Sequence, residues 1–123
     1  MGLVVFVGIG RNDKRDEAEY LAQRIARLRV FPDQDGKMNR SLLEIGGGML
    51  IVSQFTLYGD TKKGNRPSYT AAAIPEVAKD VYNFFINACR QTGLLVATGE
   101  FQANMQVRLI NDGPVTLLLS TES

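Results

Sequence analysis

The sequence predicts a single α/β domain over residues 1–123, and three observations carry that expectation. Leu3-Val4-Val5-Phe6-Val7 is an unbroken β-branched and aromatic run, as in a strand buried on both faces. Two stretches, one after Gly8 and Gly10 and one after Pro75, repeat apolar residues at helical spacing. Further β-rich runs lie between and beyond them, separated by Gly, Asn, Asp and Pro. A chain of 123 residues can bury one core but not two.

Gly8 and Gly10 stop the first strand, and Asn12 or Asp13 can cap a helix with Asp16 and Glu17 in its first turns. Ala18, Leu21, Ala22, Ile25 and Leu28 form its apolar face. Arg24, Arg27 and Arg29 suit its C-terminal end and read as a solvated face. Val30-Phe31-Pro32-Asp33 ends this helix, and Asp35-Gly36-Lys37 is a turn. Met38 to Ser41 leads into a short apolar piece, Leu42-Leu43-Glu44-Ile45. Gly46-Gly47-Gly48 lacks the following Gly-Lys-Ser/Thr of a phosphate loop and reads as a tight connection.

Met49 to Leu57 begins as a buried strand and then carries Ser53, Gln54 and Thr56. At period two, Gln54 and Thr56 share a face with Leu50 and Val52, while Ser53 and Phe55 face the other way. Polar groups in a buried strand need partners, which neighbouring loops can supply. The C-terminal end of a strand is also where open sheets place ligand sites. Residues 58–69 form a loop with the one compact basic group, Lys62, Lys63 and Arg66, flanked by Tyr58 and Tyr69. A solvated loop and a contact to RNA phosphates both fit it.

Pro75 suits the first position of the second helix, whose apolar face is Val77, Val81, Phe84, Phe85 and Ala88, with Gly93 as its stop. Leu94 to Thr98 reads as a strand. Residues 99–104 connect to two last β-rich runs, 105–110 and 115–119, joined through Asn111-Asp112-Gly113-Pro114. The order is β-α-β-β-α followed by about three strands. Gly113-Pro114 is either an ordinary turn or a constrained unit presenting backbone carbonyls to a ligand.

Composition excludes several chemistries. There is no histidine, which removes Ser-His-Asp and Cys-His catalysis and imidazole metal sites. The one cysteine, Cys89, rules out an internal disulfide framework and multi-cysteine metal sites, and suits a reducing cytoplasm. No metal or cofactor is expected, and no membrane-spanning segment. A net charge of +1 argues against a broad polybasic face for long duplexes. Carboxylates, hydroxyls, backbone dipoles or the substrate's own groups must do any chemistry.

Ser53-Gln54-Phe55-Thr56-Leu57 with Asn111-Asp112-Gly113-Pro114-Val115-Thr116 resembles the paired signature of the D-aminoacyl-tRNA deacylases. Phe31, Gly36-Lys37-Met38-Asn39, Gly64-Asn65-Arg66-Pro67-Ser68, Phe101 and Met105 extend the resemblance along the whole chain. It implies a layered β/β/α framework with two helices and hydrolysis of the ester joining a D-amino acid, or glycine wrongly placed on tRNA, to the terminal adenosine. It further implies a homodimer whose Gly113-Pro114 peptide is cis and enters the partner subunit's site. Ser53, Gln54, Phe55 and Thr56 would line the ester there, and Phe101 and Met105 would shape the pocket for the terminal adenosine. Thr56 is the one matched side chain that could attack or orient water, and orientation is favoured because no base accompanies it. The family pattern also has an earlier strand pair with a Gln-Arg-Val segment, whose arginine has no counterpart here. The expectation is a shortened form with an exposed sheet edge. A non-catalytic dimeric binder of the tRNA acceptor end is the competing function. A small-ester esterase is disfavoured for want of a Gly-x-Ser-x-Gly elbow and histidine.

Overall fold

The structure is a computed structural model, and it describes residues 1–122. Strand β1 (Gly2–Val7) leads through the Gly8–Gly10 turn into helix α1 (Arg15–Arg27). The Asp13 carboxylate accepts the Gly10 N–H at 2.7 Å, and Glu17 accepts the Lys14 N–H at 2.9 Å. Lys14, not Asn12 or Asp13, therefore caps the helix. Ala18, Ala22 and Ile25 are buried as the periodicity predicts, whereas Leu28 has left the helix at φ −59°, ψ 133°.

The stretch expected only to end this helix pairs as a hairpin. Strand β2 (Arg29–Pro32) runs antiparallel to β3 (Met38–Ser41). Its turn is tied by Asp33 Oδ1, which accepts the N–H groups of Asp35 and Lys37, with Gly36 at φ 78°. Leu42–Ile45 forms a one-turn helix, α2, so the described residues hold three α-helices and not two. Ser41 and Glu44 cap it reciprocally, and Gly46 closes it at φ 65°.

Strand β4 (Gly48–Ser53) then enters the centre of a parallel three-stranded sheet in the order β1-β4-β5, with β5 at Leu95–Thr98. Gly2 pairs with Gly48 and Gly48 with Leu95. That register puts Leu3, Val5, Val7, Met49, Ile51 and Val96 on one face. Helix α1 and helix α3 (Pro75–Gln91) cover this face through Ala18, Ala22, Ile25, Val81, Tyr82, Phe85 and Cys89. That order makes β1 an edge strand, and Phe6 on its opposite face is exposed, so β1 is not buried on both faces.

The two last β-rich runs do not pair. Residues 105–119 carry no strand, and no backbone hydrogen bond joins 105–110 to 115–119 among the described residues. Local β propensity needs an accepting edge to become a strand, and these runs find none. The second β layer expected from them is therefore not formed by this segment. No described helix is long and apolar enough to cross a membrane.

Candidate active site

Strand β4 ends at Ser53, and the chain turns sharply at Gln54 (φ −142°, ψ 80°) into a 3-10 turn, Phe55–Tyr58. The period-two alternation expected through Leu57 therefore stops at Ser53. The Gln54 N–H still bonds to the Val7 carbonyl at 2.8 Å, one rung beyond the last pair of the β1–β4 ladder, before the chain departs. The glycines of the β1–α1 turn make room for it. A Cβ on Gly8 would stand 3.2 Å from Gln54 O and Leu57 Cβ, and one on Gly10 would stand 2.6 Å from the Tyr58 hydroxyl. Tyr58 fills that space and donates to Asp13 Oδ2 at 3.3 Å. Burial first, and then the Asp13 charge, push its phenol up to about 12.

The turn leaves polar groups uncommitted. The Leu57 N–H bonds to Gln54 O at 3.2 Å and the Gly59 N–H to Thr56 O at 2.9 Å. Phe55 and Thr56 open the turn, so their own N–H groups have no acceptor within it, and none elsewhere among the described residues. Two backbone donors and the Thr56 hydroxyl thus stand together on an exposed corner at the C-terminal end of the central strand. The Gln54 side-chain amide donates to Thr56 Oγ1, which occupies one lone pair and leaves the hydroxyl proton free. An oxygen already accepting from an amide, with no base beside it, is better suited to orienting a water than to attacking.

Phe101 and Met105 come to the same end of β4. The Phe101 ring lies 5.6 Å from Tyr82, and the Tyr82 hydroxyl donates to Ile51 O at 3.3 Å. Gly99 donates to the same carbonyl at 2.9 Å, and a Cβ there would stand 2.6 Å from Met105 Sδ and 3.8 Å from Val52. Gln102, at φ 64°, turns the chain between Phe101 and Met105. Neither Tyr82 nor Gln102 belongs to a motif visible in the sequence. Tyr82 adjoins Val81 on the apolar face and could have been found there, but a positive φ at glutamine carries no sequence signal.

Gly113-Pro114 lies apart. The peptide is cis, Gly113 has φ 139°, and both residues are exposed. Asn111 holds the loop by accepting the Val115 N–H at 3.0 Å and donating to Thr116 Oγ1 at 2.9 Å. No hydrogen bond joins this loop to Ser53, Gln54, Phe55 or Thr56 within the described chain. Cys89 is buried against the sheet, and burial pushes its thiol up to about 12, so it is no nucleophile. No group of three or more described carboxylates or thiols could hold a metal ion.

Residues 1–120 match the family model described as D-Tyr-tRNA(Tyr) deacylase. The chain is 57% identical over 121 residues to a D-aminoacyl-tRNA deacylase of Thermosipho africanus, covering 98% of this chain and 81% of that one. A D-aminoacyl-tRNA deacylase of Desulfotalea psychrophila is 59% identical over the same shares. Among solved structures, the c-Myc DNA Unwinding Element Binding Protein superposes with a TM-score of 0.92 at 39% identity, covering 99% of this chain and 83% of that one. A probable eukaryotic D-amino acid tRNA deacylase shares the fold at 16% identity, with a TM-score of 0.76 over 87% of this chain and 78% of that one.

Proposed function

This chain belongs to the D-Tyr-tRNA(Tyr) deacylase family, and on that premise we propose how its corner at the end of β4 works. The protein hydrolyses the ester of D-aminoacyl-tRNA, releasing the free D-amino acid and tRNA as a proofreading step. The observation that carries the mechanism is the pair of uncommitted N–H groups on Phe55 and Thr56. An aminoacyl ester is already activated, so donors placed where its carbonyl oxygen gains charge supply what an uncatalysed water lacks. The Thr56 hydroxyl, fixed by Gln54, orients the water, or the ribose 2′-hydroxyl assists in its place. Ser53 ends the strand that fixes this corner, while Phe101 and Met105 flank the terminal adenosine.

Gly113-Pro114 supplies the chiral filter in this reading. The loop is exposed and makes no hydrogen bond to the corner of its own chain, which suits entry into the site of a second copy. There its carbonyls hold the substrate's α-amino group, and its backbone occupies the space an L side chain would need. The working unit is then a homodimer of single-domain subunits, acting in the cytoplasm and clearing glycine from mischarged tRNA as well.

The test is release of D-tyrosine from D-tyrosyl-tRNA, with L-tyrosyl-tRNA alongside and Asn111→Ala as the loop variant. D-specific release is expected, reduced by about ten-fold or more in the variant, because its loop is no longer held in register. Equal hydrolysis of both esters would sink the chiral filter. Tight binding of the acceptor end without turnover would replace the hydrolase with a binding module.

A further inference from the structure

The loop after the corner carries charge that the chemistry leaves unused. Asp60 and Ser68 close it with two backbone hydrogen bonds, Asp60 N–H to Ser68 O at 2.7 Å and Ser68 N–H to Asp60 O at 2.9 Å. A second bridge, Gly10 to Ala72, and the bond from the Arg11 N–H to Ala71 O at 3.1 Å tie its return limb to the β1–α1 turn. At its root, the Tyr69 ring meets Phe55 edge-on with centroids 5.0 Å apart. The excursion is therefore fixed at its base to the residue that opens the corner.

Beyond that base stand Lys62, Lys63 and Arg66, all exposed. The loop's single carboxylate, Asp60, is engaged by the backbone, accepting the Lys62 N–H at 2.9 Å. Among the described residues the one ion pair is Arg15–Asp80, far along the chain, so none of the three cations has an anionic partner. Four residues from stem to tip reach at most about 13 Å. That reach covers only the phosphates next to the terminal nucleoside.

We propose that Lys62, Lys63 and Arg66 form a phosphate track that holds the single-stranded acceptor end of the tRNA and feeds its terminal nucleoside to the corner at Phe55. This rests on the ester site lying at that corner. The track contributes affinity for the polynucleotide and nothing to the chemistry, because phosphate contacts position without reading bases.

The experiment compares wild type with a Lys62→Gln, Lys63→Gln, Arg66→Gln triple variant on D-tyrosyl-tRNA and on D-tyrosyl-adenosine, which carries no phosphate. On tRNA at low salt, kcat/KM should fall about ten-fold or more, and the slope of log(kcat/KM) against log[salt] should flatten by about 2, three contacts at about 0.7 each. On D-tyrosyl-adenosine the variant should match wild type within two-fold. Arg66→Lys alone should keep the wild-type slope, since it keeps the charge. Equal losses on both substrates would mean that the loop shapes the site, and an unchanged slope would mean that it meets no phosphate; either overturns the proposal. The same slope read from binding of uncharged tRNA is independent of catalysis, and Thr56→Ala run in parallel separates failure of the ester site from failure of the track.

Discussion

Gly99→Ala separates the stability of this fold from the geometry of its site. The backbone at Gly99 is not left-handed, and its N–H keeps its bond to Ile51 O, so alanine costs little in conformation. The new methyl, however, would stand 2.6 Å from Met105 Sδ, and the thioether must withdraw by roughly 1 Å to reach ordinary contact. Overpacking a core costs about 1–3 kcal/mol, and an unbranched, half-exposed methionine places this site at the low end, near 1 kcal/mol. In a urea titration that appears as a midpoint lowered by about 0.5 M with an unchanged slope. With Met105 in the role proposed for it beside the terminal adenosine, a 1 Å displacement should lower kcat/KM on D-tyrosyl-tRNA by about ten- to a hundred-fold. The Gly99→Ala, Met105→Ala double variant removes the clash and should recover the midpoint without recovering the rate. A rate within two-fold of wild type in Gly99→Ala would show that Met105 does not bear on the substrate. A loss above about 3 kcal/mol would show that the thioether is not free to move.

Tyr82→Phe removes a buried hydroxyl whose acceptor, Ile51 O, keeps the Gly99 N–H, so a cost of about 1 kcal/mol is expected by urea titration, against about 3–5 for Tyr82→Ala. Gly46→Ala places a Cβ in open space but at φ 65°, so a purely conformational cost of about 1–2 kcal/mol should appear as a lowered melting temperature, smaller in Gly46→Asn. Tyr58 and Cys89 hold their protons to about 12 in the folded chain, above their usual 10.0 and 9.0. The unfolded chain gives those protons up first, so the contribution of these two groups is flat below about pH 9 and declines as pH rises towards 12. Tyr58→Phe should make that alkaline decline shallower, and a thiol reagent should label Cys89 only at the rate of unfolding.

The elements built on one-dimensional patterns were legible in the sequence. The run Leu3 to Val7, the Ala18-Ala22-Ile25 stripe, Pro75 opening α3 and Gly93 after it all stand where periodicity and capping put them. The β2–β3 hairpin is hidden in the sequence although Asp33-Gln34-Asp35-Gly36 carries its turn chemistry, because Val30 to Asp33 also reads as the end of the preceding helix. The last two β-rich runs show the opposite error. Their alternation is real, but pairing needs a partner edge, which is a property of the assembly and not of the segment. At the candidate corner the motif Ser53-Gln54-Phe55-Thr56 is visible in the sequence, but the break at Gln54 is not. It depends on Gly8 and Gly10 leaving room for Tyr58, contacts between stretches some fifty residues apart. The tilted contact of Phe101 with Tyr82 is likewise a tertiary fact.

The central strand also sets when the enzyme comes into being. Both partners of β4 lie more than a third of the chain away, Gly2 on one side and Leu95 on the other. Neither ladder can form until a long stretch has been ordered, and the loop-closure entropy is spent before any pairing offsets it. The corner at Gln54 is held by a bond to Val7, and Phe101 meets Tyr82 only after β5 is seated. A chain that has made one crossover and not the other therefore lacks part of the proposed site. Recovery of deacylation during refolding should track completion of the whole sheet, with no early, partly active phase.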